Sequence, residues 1–130
     1  MHATARRFTL LGAVLAAAAV AAGAFGAHGL RNTLSPAALE TFATAARYQM
    51  YHALALILLG ALWTPLAASG ERLLRAAGWS FVAGILLFSG SLYLLALAGL
   101  PKLGMIAPLG GLCYVVGWMA LTLAAYRARA

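Results

Sequence analysis

Tyr48, Gln49 and His52 carry much of the chemistry available to this 130-residue chain. Separations of three and four residues put them on neighbouring surface of a helix. An imidazole can donate, accept, hold a proton or bind a metal. Ser89, Ser91 and Tyr93 add hydroxyls in the run Phe88-Ser89-Gly90-Ser91-Leu92-Tyr93. His28 follows Gly23-Ala24-Phe25-Gly26-Ala27, and Arg47 directly precedes Tyr48. Two chemistries stand open for this set. In one, His52 binds a ligand or handles a proton. In the other it is a neutral imidazole hydrogen-bonded to Ser89, Ser91 or a carbonyl, joining helices. Glu40 and Arg47 lie two helical turns apart. They read as a solvated ion pair, or Arg47 holds a lipid headgroup or carboxylate.

The same inventory argues against an enzyme. The chain has no Asp, no metal-binding Cys/His spacing, no phosphate-cradling glycine loop and no serine–histidine–acid set. Ser89 and His52 as nucleophile and base would lack an orienting acid and oxyanion donors. His28 with His52 lacks the further ligands of a metal or haem site, so no metal and no cofactor are expected. Cys113 is the single cysteine, which excludes an intrachain disulfide. His2 lies in the N-terminal tail and is assigned no role.

The elements that must position these residues are four apolar stretches: Phe8 to Ala27, Tyr48 to Ala67, Ala76 to Leu97 and Met105 to Ala125. Each is about 20 residues long, enough to cross a hydrocarbon core of about 30 Å. Hydrophobic residues make up 65% of the chain and charged ones 8%, where soluble domains carry about 25% charged. The expectation is a single four-helix transmembrane domain over residues 1–130, all-α, in an up-down-up-down bundle. Its solvent and first partner is the lipid bilayer. The net charge of +7 comes from basic residues at the ends of these stretches, so it points to headgroups and orientation, not to nucleic acid.

Arg6-Arg7 before an Ala-rich run resembles a signal peptide. The run is longer than a cleaved signal core, and an uncleaved first helix is expected. Arg6, Arg7, Arg72, Arg75, Arg127 and Arg129 fall on the side of the termini, against Arg31, Arg47 and Lys102 on the other. That bias places both termini in the cytoplasm. Ala68–Arg75 and Ala98–Gly104 read as short loops. Ser35 and Pro36 read as a helix start, with a cap and a first-turn proline. From there a helix reaches the second span, its first turns lying at the outer interface. This topology gathers His28, Arg47, Tyr48, Gln49, His52, Ser89, Ser91 and Tyr93 at one membrane level.

Small residues mark close helix contacts: Gly12, Ala16, Ala19, Gly23 and Ala27 on the first span, Gly84 and Gly90 on the third, Gly110 on the fourth. Gly26 or Gly29 is expected to end the first helix in left-handed geometry. Pro108 is expected to disturb the fourth helix just after its start, freeing carbonyls. Trp63, Trp79, Trp118 and Tyr126 are read as anchors at the inner interface.

The ordered segments Gly23 to Leu30, Phe42-Ala43-Thr44-Ala45, Tyr48 to Ala55, Phe88 to Tyr93, Pro108-Leu109-Gly110-Gly111 and Gly117-Trp118 resemble the YgdD-like family. This is a family of small inner-membrane proteins catalogued as a domain of unknown function. The resemblance covers nearly the whole chain. It implies a four-helix protein of the bacterial plasma membrane, and no reaction, substrate or cofactor. The leading functional expectation is a non-enzymatic protein with an outward polar pocket for a lipid headgroup or small amphiphile. One alternative is an assembly or scaffold protein, a homo-oligomer joined through the small-residue stripe of the first helix. Another is a small transporter or proton pathway, which would need an oligomer because the inner halves offer no polar residues.

Overall fold

The structure, a computed structural model, describes residues 1–128. Helix α1 is Ala3–His28; the His2 ring accepts the Thr4 N–H at 3.3 Å and so caps it. Helix α2 is Pro36–Gly84. Its start is the one read from sequence: Ser35 Oγ accepts the Ala38 N–H at 3.2 Å, and Pro36, which has no N–H to lose, opens the first turn. A π turn, Ile85–Ser89, joins α2 to α3, Gly90–Ala98. A 3₁₀ turn, Pro101–Met105, then leads into α4, Ala107–Arg127. The described residues contain no strand.

Three helical runs, not four, are long and apolar enough to cross a membrane: Ala3–His28, Pro36–Ala98 and Pro101–Arg127. The expected second and third spans are one run of 63 residues. The loop expected at Ala68–Arg75 is helical apart from Gly70, whose φ of −149° and ψ of 23° leave the helix. Glu71, Arg72, Leu73, Leu74 and Arg75 are all good helix formers, with no β-branched or proline interruption. Arg75 also binds Glu71 one turn back at 2.7 Å. The chain reverses around Gly70 without a loop. Phe42 meets Tyr93 with ring centroids 4.9 Å apart, Tyr48 meets Phe88 at 4.9 Å and His52 meets Phe81 at 5.7 Å. As the number rises on one arm it falls on the other, so the arms are antiparallel.

Helix α1 packs on the first arm and α4 on the second. A Cβ at Gly12 would stand 2.6 Å from the Ala53 carbonyl oxygen, so only glycine permits that approach. Gly110 lies closer still to the Phe88 backbone, and Gly84 lies under the Tyr114 ring. Gly23 has nothing within 4 Å, and Gly90 only the Ile85 carbonyl at 3.9 Å. Ala19 is buried and Ala16 half-buried. The core between helices centres on Phe8, Leu56, Leu59, Trp63, Leu74 and Phe81. Leu30, Phe42 and Ala96 form a smaller cluster at the far end from Gly70.

Several local expectations change. Gly29 is right-handed, with φ of −70°. Among the described residues only Gly99, φ 64°, is left-handed, and it ends α3. Pro108 sits in the first turn of α4 because that helix starts at Ala107. It therefore breaks no internal bond. Trp63 is 1% exposed and belongs to the core, not the interface.

Candidate functional site

His52 sits at the centre of the polar network. Trp118 Nε1–H donates to His52 Nε2 at 3.1 Å. An indole N–H can only donate, so Nε2 is the unprotonated nitrogen. Nδ1 of the neutral ring then carries the hydrogen and donates to the Tyr48 carbonyl at 2.8 Å. The ring also lies flat on Tyr114, with centroids 3.4 Å apart and planes 6° from parallel. Trp118 stands mid-way along α4, so its indole reaches the histidine instead of anchoring the inner interface as its position in the sequence suggested.

A second set of bonds ties the other helices. Gln49 Nε2 donates to the Leu15 carbonyl of α1 at 2.8 Å, and Gln49 Oε1 accepts Tyr93 O–H at 2.7 Å. One side chain thereby joins α1, α2 and α3. Ser89 is fully buried and donates to the Ala45 carbonyl at 2.8 Å. That leaves its oxygen to accept from Tyr114 O–H at 3.4 Å. The π turn places Ser89: the Gly90 N–H reaches back five residues to Ile85, widening the turn that presents it. Ser91 Oγ donates to the Phe88 carbonyl in the preceding π turn at 2.9 Å.

The eight candidate residues therefore divide into three groups. Gln49, Ser89, Ser91 and Tyr93 are engaged in bonds between or along helices. Arg47 is exposed and binds Glu40 at 2.6 Å and Thr44 at 3.1 Å. His28 is exposed at the end of α1. Tyr48 and His52 line an open cavity. Ser89 makes no hydrogen bond to His52, so the pair has no nucleophile–base geometry. Among the described residues no three His, Cys, Asp or Glu side chains converge as metal ligands.

That cavity is a cleft of about 380 Å³ between α2 and α4. Tyr48, Tyr51, His52 and Phe88 form one wall; Gly111, Tyr114, Val115 and Trp118 form the other. Sequence reasoning missed six of these eight. Tyr114 and Trp118 carried no signal there because an aromatic in an apolar span looks the same facing lipid or facing a histidine. The lining is almost wholly apolar, since the Trp118 N–H satisfies His52 Nε2 and the Tyr48 carbonyl satisfies Nδ1. The Tyr48 and Tyr51 hydroxyls make no hydrogen bond among the described residues. Such a cleft suits an apolar or aromatic body carrying a modest polar end.

Comparison with known proteins gives the same class. The chain is 43% identical over 122 residues to the UPF0382 membrane protein SAB0533 of Staphylococcus aureus (strain bovine RF122 / ET3-1), covering 92% of this chain and 95% of the relative. It is 42% identical over 120 residues to the UPF0382 membrane protein YwdK of Bacillus subtilis (strain 168), covering 92% and 96%. A UPF0382 membrane protein of Staphylococcus epidermidis (strain ATCC 12228 / FDA PCI 1200) is 44% identical over 119 residues, covering 90% and 93%. No solved structure matches. Residues 22–111, which hold the α1 end, the whole of α2 and α3 and the start of α4, match the family described as protein of unknown function (DUF423). Long apolar helices and near full-length similarity to named membrane proteins lead to one conclusion: this chain is a membrane protein of the DUF423 family.

Proposed function

We propose that this protein is a non-enzymatic, multi-pass protein of the bacterial plasma membrane that binds a small amphiphile in the cleft between α2 and α4. The observation that carries this reading is the cleft itself: an aromatic slot with His52 held rigidly in its wall. The reading includes four crossings, as in the YgdD-like proteins. The antiparallel arms of the Pro36–Ala98 run support two of them. It also places both termini in the cytoplasm and the cleft in the outer half of the bilayer. Arg47, Gln49, Ser89, Ser91 and Tyr93, the groups expected to grip a headgroup beside His28, Tyr48 and His52, are already bonded within the protein. The ligand's apolar body thus supplies the affinity, and the Tyr48 and Tyr51 phenols meet its polar end.

Gly111 offers a clean test. A Cβ there would meet only a Phe88 ring carbon, at 3.9 Å. Gly111→Leu fills the slot and leaves the helix contacts alone. Native mass spectrometry of gently extracted protein should show a defined adduct in wild type that is lost in Gly111→Leu and in His52→Ala. An identical set of adducts in all three would overturn the proposal.

The assembly reading has one observation in its favour: the open space at Gly23, in the groove between α1 and the start of α2. Gly23→Leu would then change the oligomeric mass in the same spectra. An unaltered mass would remove it.

A further inference from the structure

The reversal at Gly70 builds a second cavity that the cleft does not share. Gly70 is buried against the end of α4: a Cβ on it would lie 3.0 Å from the Ala124 Cβ and 3.2 Å from its Cα. This contact sets Arg127, one turn beyond Ala124, beside Arg72 and Arg75. A cavity of about 560 Å³ opens among them, with Ser69 and Glu71 also in its lining. Three guanidiniums thus face one carboxylate. The carboxylate is already committed, because Glu71 accepts from Arg75 Nε at 3.0 Å and from a terminal Arg75 nitrogen at 2.7 Å. Arg72 and Arg127 make no hydrogen bond or ion pair among the described residues. Two guanidiniums more than fifty residues apart in the chain therefore converge on one concave space with their donors unspent among the described residues.

A planar guanidinium matches phosphate oxygens in both geometry and charge. The cavity is roomy enough for a glycerophosphate group. It also lies at the end of the bundle that carries the N-terminus of α1, where His2 stacks on Trp63 at 5.4 Å. Basic cavities at the ends of membrane helices collect anionic headgroups. We propose that this cavity binds a phosphate group through Arg72 and Arg127. The phosphate belongs to an anionic phospholipid or to a free phosphate. Arg75 is held out of the ligand's reach by Glu71 and shapes the rim.

The test uses full-length protein in detergent micelles, titrated with phosphatidylglycerol and, separately, with phosphatidylcholine. Wild type should prefer phosphatidylglycerol. Arg72→Gln and Arg127→Gln should each weaken it about fivefold, and the double variant about twenty-five-fold. Lys102→Gln removes the same charge at the opposite end and should change nothing. Competition by inorganic phosphate distinguishes the sources: displacement of the lipid assigns the site to free phosphate, and failure to displace assigns it to the headgroup. The proposal is overturned if the double variant binds phosphatidylglycerol as wild type does. It is equally overturned if Lys102→Gln loses as much, which would make the effect one of net charge. Both arginines are exposed, so the single variants keep the fold and the result readable. None of these variants touches the aromatic cleft, so this test and that of the cleft fail independently.

Discussion

Both ring nitrogens of His52 have partners, and the partners dictate its tautomer. Trp118 can only donate, so the hydrogen resides on Nδ1 and points at the Tyr48 carbonyl. Nitrogen NMR of ring-labelled protein should therefore show a pyrrole-type Nδ1 and a pyridine-type Nε2. The reverse assignment would mean that the Trp118 bond is not formed. His52→Ala removes an acceptor, a donor and the face that stacks on Tyr114. It should lower stability by about 1–3 kcal/mol from the lost bonds alone, read as a lower unfolding midpoint in detergent. The sequence marked His52 as unusual, because an ionisable group inside an apolar span needs a reason. It did not reveal Trp118 or Tyr114 as that reason. Their spans have aromatics at many positions, and which of them turns inward depends on the crossing of α4 over α2.

At the scale of the helices, two glycines of the same α1 stripe should behave oppositely. Gly12→Ala drives a methyl to 2.6 Å from a backbone oxygen of α2, and backbone cannot step aside as a side chain can. The expected cost is about 1–3 kcal/mol. Gly23→Ala meets nothing within 4 Å, and should gain about 0.5–1 kcal/mol from the reduced freedom of the unfolded chain. Unfolding midpoints measured in one detergent would check both. Equal effects would mean that α1 does not press on α2 at Gly12. Periodicity showed where the small residues lie, but not which of them meets a neighbour. That depends on how α1 is rotated about its axis, which the uniformly apolar surface of α1 leaves undetermined. The beginning of α2 was legible for the opposite reason, since Ser35 and Pro36 act locally. A connection was expected at Ala68–Arg75, but its helical form was hidden, because Glu71 to Arg75 favour helix and Gly70 alone leaves it.

At the scale of the molecule, the distinction between three helical runs and four crossings becomes an experiment. Ser69 lies at the reversal, and Lys102 lies in the turn before α4, at the opposite end. In a Cys113→Ala background, Ser69→Cys and Lys102→Cys each add one thiol at an exposed position. A membrane-impermeant maleimide applied to intact cells should label the Lys102→Cys variant and spare the Ser69→Cys variant. Opening the cells should make the second react as well. That pattern requires the Pro36–Ala98 run to cross, turn and return, with the termini and the arginine cavity inside. Labelling of Ser69→Cys in intact cells with none at Lys102→Cys would invert the protein, putting the aromatic cleft in the inner half and the arginines outside. If Ser69→Cys stayed unreactive even in opened cells, the reversal would lie within the bilayer and the four-crossing reading would fall. The first pattern follows from the charge balance, since a side holding six of nine basic residues is the side retained in the cytoplasm.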